Sequence, residues 1–366
     1  MKIAIVVPHI FMWDKILKSN IFAPGLLAIE LANRLYEKNH EVFLYSAGNI
    51  KTKAKVIQLN LSKVEKELKR RNLNLIGLIK KDVATYHKLF KIIELSILSK
   101  AYLDENKYQL IHVFVTNGPE GPIFSRLIKK PIVFTLHDPF KLNFTDYESH
   151  DLIKDVKFTS ISKNQGLLVP QLKITRTIYN GIDFDKFKFN KKPKNYFAYY
   201  GRIIQQKGVH TVIKVCLETK NRLKIAGLHY EGHGGNHYWS KKILPYIDNK
   251  NIQYSGFLTN QKDKNKFLGN AKALLCPIEW DEPFCLAIIE ANSCGTPVIA
   301  YNKGSIPEIV KNGINGFIVK NKREMKKAMK EVGNINRWKC REYAKSRFNI
   351  EKMVCGYENL YKELIH

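Results

Sequence analysis

The sequence predicts a two-domain α/β protein in which each half is a doubly wound, parallel sheet. Three observations predict it. Apolar runs alternate with helical patterns along the chain, the alternation restarts after a polar, lysine-rich stretch at 185–195, and 366 residues exceed what one ordinary core carries.

The first strand is the apolar run 2–8, which could pass for a leader peptide. Pro8 and His9 interrupt it and no small-residue cleavage site follows, so it reads as a buried strand. A helical pattern over 25–37 and a second strand at 41–45 complete a β-loop-α-β unit. Residues 61–107 read mostly as helix. Further strands are expected at 110–115, 131–136, 158–162 and 177–179. The alternation resumes with a strand at 196–200, a helix near 208–219 and strands at 223–226 and 252–254. A helix near 261–270, a strand at 273–275, a helix over 285–294, a strand at 298–299 and a helix over 306–311 follow. The predicted layout is an N-terminal domain over 1–184, a linker at 185–195 and a C-terminal domain over 196–348. A final helix at 349–366 is expected to pack back on the N-terminal domain.

Hydrophobic residues make up 45% of the chain, which fits packed cores, and no apolar run reaches the ~20 residues that span a bilayer. The six cysteines form no C-x-x-C pair and no histidine cluster has metal-ligand spacing, so buried reduced thiols are expected and no metal. The net charge is +28, with 28 cations against 16 carboxylates up to residue 180 and 33 against 17 beyond it. The excess is therefore spread through both halves. A lysine-rich compositional habit, attraction to anionic lipid or a phosphorylated substrate, and nucleic-acid binding all remain open as its cause. No helix-turn-helix, zinc-finger or RNP-type pattern accompanies it, so nucleic acid is not the expected partner. Peripheral association with anionic membrane is expected from the helix carrying Lys63, Lys66, Lys69, Arg70 and Arg71. The expected location is the cytoplasm, at the inner face of the membrane if that association holds.

The most informative stretch runs from Pro277 to Val298. A strand ends, an acidic loop with Glu279, Asp281 and Glu282 follows, then a helical apolar pattern closed by Gly295 and Pro297. The loop lies where open α/β sheets bind ligands, and the helix start near Phe284, Cys285 and Leu286 offers free amides to a phosphate. Glu282 and Glu290, separated by seven residues, fall about two turns apart on a similar helix face.

Glu282-x7-Glu290 followed by Ala291-x-x-Cys294-Gly295-Thr296-Pro297 resembles the motif of retaining family-4 glycosyltransferases. Other matches occur in family order: Thr135-Leu136-His137-Asp138, Ser160-Ile161-Ser162-Lys163, Tyr179-Asn180-Gly181, Gly201-Arg202-x4-Lys207-Gly208, Ser255-Gly256-Phe257 and Gly304-Ser305-Ile306-Pro307-Glu308. The resemblance implies the GT-B fold, two Rossmann-like domains facing each other across a cleft. It also implies retaining transfer of a hexose-type sugar from a nucleoside-diphosphate sugar, UDP-linked by expectation, to an acceptor in glycan or glycolipid synthesis.

By the same resemblance Arg202 and Lys207 hold the donor diphosphate. Glu290 accepts from the ribose hydroxyls, Glu282 contacts the transferred sugar, and Phe284, Cys285 and Leu286 contribute backbone amides. His137 faces the donor sugar, and Asp138 and Gly25 lie on the acceptor side. No cofactor and no metal are implied, the cations taking the metal's place. Two departures stand out. Cys285 replaces the family's common glycine, and only Gly25 remains of a Gly-Gly loop. The alternatives are a sugar-nucleotide epimerase or other GT-B enzyme, and a non-enzymatic basic protein that binds polyanions or membrane surfaces.

Overall fold

The computed structural model describes residues 1–17, 20–73, 78, 81–115, 120–138, 153, 155–229 and 237–365. They form two units: Met1–Tyr179 with Met353–His366, and Asn180–Lys352.

Unit 1 is built on seven strands: β1 (Lys2–Val6), β2 (Glu41–Ser46), β3 (Lys55–Gln58), β4 (Leu110–Val115), β5 (Ile132–Leu136), β6 (Phe158–Ser160) and β7 (Ile174–Thr177). They pair in the order β3-β2-β1-β4-β5-β6-β7, every pair parallel. Ile3, Ala4, Ile5 and Val6 are fully buried, as a strand covered on both faces requires, which is why the sequence shows a run and not an alternation. Helix Ala23–Glu37 starts with Pro24 in its first turn and buries Leu27, Ala28, Leu31 and Leu35, one helical face. His112 of β4 is buried in the same sheet and is satisfied on both ring nitrogens. Its Nδ1 lies 2.6 Å from the Tyr361 hydroxyl and its Nε2 2.6 Å from Thr135 Oγ1. Burial keeps its pKa well below the ordinary imidazole value. Tyr361 and Tyr357, both buried, belong to the terminal helix Ile350–Ile365, so these bonds fasten the end of that helix to the first sheet.

Unit 2 has six strands: β8 (Phe197–Tyr200), β9 (Leu223–Ala226), β10 (Ile252–Tyr254), β11 (Leu274–Cys276), β12 (Val298–Tyr301) and β13 (Gly316–Val319). Their order is β10-β9-β8-β11-β12-β13, again parallel throughout. The winding reverses between β8 and β11, and the crevice at the carboxyl ends of those two strands is where such a sheet receives a ligand. In unit 1 the corresponding reversal falls between β1 and β4.

The fold is the predicted pair of parallel α/β sheets, with local differences. Edge strands β3 and β13 are additional to the expected set. They are short and only half covered, so their apolar pattern is weak. Strand β7 begins at Ile174, three residues before the expected start, because Ile-Thr-Arg-Thr on an edge alternates without an apolar run. The expected helix at 61–107 is two helices among the described residues, Ser62–Arg70 and Val83–Leu103; residues 74–77 and 79–80 lie outside them. Residues 185–195, expected as a linker, lie inside unit 2. Phe184 and Phe187 are buried, Asn190 Nδ2 donates to Gly269 O at 3.0 Å, and Arg337 Nε donates to Asn190 O at 2.7 Å. Their lysines point outward and mask a packed backbone.

Candidate functional site

Three loops at the carboxyl edge of the second sheet build the site. The first leaves β8 through Gly201, passes Arg202 and a 3₁₀ turn, Gln205–Lys207, and enters helix Val209–Glu218 at Gly208. Gly208 has φ +71°, and a Cβ there would land on the Pro277 carbonyl oxygen, so only glycine lets the first loop press against the second. The second loop leaves β11 and runs from Pro277 to Cys285, the residue before helix Leu286–Ser293. Glu279 N donates to Gln206 O at 2.9 Å, which ties it to the first. The third follows β12: Ser305 N donates to Glu282 O at 2.9 Å, and Gly304, at φ +54°, leaves no room for a Cβ beside the Glu282 backbone.

Held in this way, Glu282 is buried and meets two donors on one oxygen. Lys207 Nζ lies 2.5 Å from Glu282 Oε2, and Trp280 Nε1 donates to the same atom at 2.6 Å. The Lys207 ammonium also stands 5.7 Å from the centre of the Trp280 ring. Both charged side chains are nearly covered, at 13% and 8% exposed, so removing either leaves an uncompensated buried charge. On the same edge Glu290 faces Lys264, with Nζ 3.7 Å from Oε1. Burial raises the Glu290 pKa and Lys264 opposes that rise. Lys264 in turn lies 5.9 Å from the ring centre of Tyr200, which ends β8 and leads into Arg202. Arg202 engages no carboxylate among the described residues, so its guanidinium is a cation open to a ligand.

Phe284 and Cys285 are buried where the helix begins; Phe284 packs edge-on against Phe348, ring centres 5.7 Å apart. The hydrogen bond between the Cys285 and Cys276 thiols, with burial, holds Cys276 well above the ordinary thiol range. Both thiols are buried, and the same hydrogen bond lowers the Cys285 pKa against the effect of burial.

The structure therefore brings Lys207, Glu282 and Trp280 into direct contact, and sets Arg202, Glu290 and the helix start at Phe284, Cys285 and Leu286 on the same sheet edge. His137 belongs to unit 1, just past β5 at the carboxyl edge of that sheet. Its ring stacks on Phe114 at 4.8 Å, its Nε2 finds no partner among the described residues, and burial lowers its pKa to about 3. Asp138 beside it is exposed. Gly25 sits buried in the first turn of helix Ala23–Glu37, where a Cβ would strike Met12 and Phe22; it is a packing glycine and offers no exposed group. Trp280, Lys264 and Gly304 are contributors the sequence did not single out as ligands or holders of the site. Their partners lie far along the chain except for Trp280, whose place two residues before Glu282 was the available clue.

Comparison with known proteins fits this arrangement. The family model described as glycosyl transferases group 1 matches residues 181–347. The chain is 29% identical over 208 residues to an uncharacterized 41.2 kDa protein in the cps region of Klebsiella pneumoniae, covering 51% of this chain and 54% of that protein. It is 24% identical over 280 residues to an uncharacterized glycosyltransferase of Methanocaldococcus jannaschii, covering 71% and 70%. Among solved structures, sucrose-phosphate synthase from Thermosynechococcus elongatus superposes with TM-score 0.75 at 15% identity over 100% of this chain and 99% of that one. Anabaena HepE in complex with UDP gives 0.71 at 16% over 99% and 100%. Residues 181–347 thus match the glycosyl transferases group 1 model, and the chain has the GT-B fold.

Proposed function

We propose, from the premise of a glycosyl transferases group 1 match on a GT-B fold, that this protein is a retaining, family-4 type hexosyltransferase. It takes its sugar from a nucleoside-diphosphate donor, preferably uridine-based. The observation that carries the proposal is the Lys207–Glu282–Trp280 contact at the winding reversal of the second sheet, with Arg202 open beside it. HepE, a structure this chain resembles, holds UDP, which supports the choice of base.

In this reading Arg202 and Lys207 bind the diphosphate, with the amides of Phe284, Cys285 and Leu286 at the helix start. As the bond between the sugar C1 and the phosphate oxygen breaks, negative charge grows on the leaving diphosphate and the two cations stabilise it. No metal takes part. Lys207 exchanges part of its contact with Glu282 for phosphate, which frees Glu282 to accept from the sugar hydroxyls. Glu290 accepts from the ribose hydroxyls. The acceptor oxygen attacks C1 from the face the diphosphate leaves, and its proton passes to the departing phosphate oxygen, so the anomeric configuration is kept. His137 contributes a neutral imidazole whose Nε2 is available to a hydroxyl, and Asp138 lies on the acceptor side. The product is a glycan or glycolipid.

The test is a sugar-nucleotide screen in which release of UDP is followed with and without sugar and lipid acceptors. Acceptor-dependent release with retained anomeric configuration is the expected result. Release or isomerisation of donor without any acceptor would point instead to an epimerase.

A further inference from the structure

The amino edge of the first sheet lies opposite the edge that holds His137, and it carries a surface of mixed character. The loops that enter β4, β5, β6 and β7 are consecutive neighbours there. Ile111 N donates to Pro131 O at 2.9 Å, Phe134 N to Lys157 O at 3.0 Å and Phe158 N to Lys173 O at 3.2 Å. Glu105 Oε2 accepts from Lys129 N at 2.7 Å and Lys130 N at 3.1 Å, which binds the first two loops together. At ~4.8 Å between strands the four loops form a row about 15 Å long.

Large apolar side chains face water along this row: Leu103 is 84% exposed, Leu127 78%, Leu167 77% and Leu168 51%. One such leucine means nothing, but Leu103 stands before β4, Leu127 before β5, and Leu167 and Leu168 before β7, so three of the four entries in this row expose a large apolar side chain. The same loops carry Arg126, Lys129, Lys130, Lys157 and Lys173, none of which pairs with a carboxylate among the described residues. Among the described residues of these loops the acids are Asp104, Glu105 and Asp155. Asp104 is paired with Lys107 at 2.5 Å, and one Glu105 oxygen is taken by two backbone amides. The cationic helix Ser62–Arg70 offers charge without this apolar partner. Glu67 binds Arg70 at 2.8 Å and Arg71 at 2.7 Å, and the helix's Leu68 is buried.

We propose that this amino edge docks on an anionic lipid bilayer, the leucines entering the headgroup–acyl boundary while the five cations meet lipid phosphates and carboxylates. The chemistry selects this occupant. A nucleic acid would engage the cations and leave the leucines in water, and a second copy of the chain would bring the same positive charge against itself.

The experiment is co-sedimentation of the full chain with phosphatidylcholine vesicles, with and without phosphatidylserine, at low and high salt. Wild type should partition onto the anionic vesicles, more weakly as salt rises. The variants L103S/L127S/L167S and K129E/K130E/K157E should each reduce partition at least about tenfold, with the thermal midpoint and UDP binding unchanged. Unchanged UDP binding separates this proposal from the catalytic one. Equal partition of the leucine variant and wild type would overturn it. So would absence of wild type from anionic vesicles at low salt, or loss of binding only in K63E/K66E/K69E. A dimer that the leucine variant dissolves, with no vesicle binding, would assign the patch to self-association instead.

Discussion

The carboxyl edges of the two sheets are chemically unlike. The second is charged: Lys207 and Glu282 touch, Lys264 and Glu290 face each other, and Arg202 stands open. Among the described residues the first is marked by two buried imidazoles in aromatic company, with exposed Asp138 beside one of them. His9 follows β1 and stacks on Phe22 at 4.3 Å, with Phe11 and Phe90 edge-on at 4.7 and 4.8 Å, while His137 follows β5 on Phe114. Burial lowers both imidazoles to about 3, so neither carries charge near neutrality. One winding rule thus yields two edges of different chemistry. A charged edge suits a diphosphate, and neutral imidazoles suit hydroxyl groups, to which they can donate or from which they can accept without a net charge to solvate.

The sharpest way to break this contrast is to discharge the second edge. Arg202→Ala is expected to lower kcat/KM by roughly 30- to 1000-fold, about 2–4 kcal/mol of transition-state stabilisation, with little change in thermal midpoint because Arg202 has no carboxylate to strand. Near-normal turnover in a steady-state assay would contradict a phosphate role. Glu290→Gln comes next. It keeps the shape but weakens a charged hydrogen bond, so UDP should bind about 1.5–3 kcal/mol more weakly by calorimetry, while the same change at Glu282 should act on turnover more than on UDP affinity.

The first edge is tested by acid. In the unfolded chain His9 and His137 take up a proton near their ordinary value of 6.5, and in the fold only near 3. Between those values the unfolded state holds more protons, so stability is complete above the unfolded value and falls as pH drops below it. The expected slope is about 1.4 kcal/mol per pH unit per histidine, read from urea unfolding between neutral pH and pH 5. A pH-independent midpoint over that range would show that the two rings are not held neutral. The smallest effect is expected for Trp280→Phe, which keeps a ring under Lys207 but removes the donor to Glu282. A loss of about 0.5–1.5 kcal/mol in kcat/KM is predicted, against none if Trp280 only fills space.

How far the sequence reveals this follows the same physics. Central strands such as β1, β8 and β11 are legible because burial on both faces demands unbroken apolar runs, whereas edge strands β3 and β13 are short and half exposed. The helices Lys322–Glu331 and Arg337–Phe348 escape a pattern search because charged residues crowd their few buried positions, such as Met325, Cys340 and Phe348. In the site, Arg202, Lys207, Glu282 and Glu290 could be picked out by the motifs around them. The contact between Lys207 and Glu282, 75 residues apart in sequence, depends on β8 lying beside β11. Lys264 meets Glu290 by the same kind of long-range closure, and nothing local announces it. The lysines of 185–195 mislead in the opposite direction, because their outward charges hide Phe184, Phe187 and Asn190 at work inside unit 2.

The central claim is that the charged edge of the second sheet is a sugar-nucleotide site. Titrating UDP into the wild-type chain and into Lys207→Ala by isothermal calorimetry tests it most directly. Saturable binding to the wild type, weakened at least about tenfold in the variant while a circular-dichroism melt still reports a folded protein, is the predicted result. Equal UDP affinity in the two proteins, or no binding to the wild type, would contradict it.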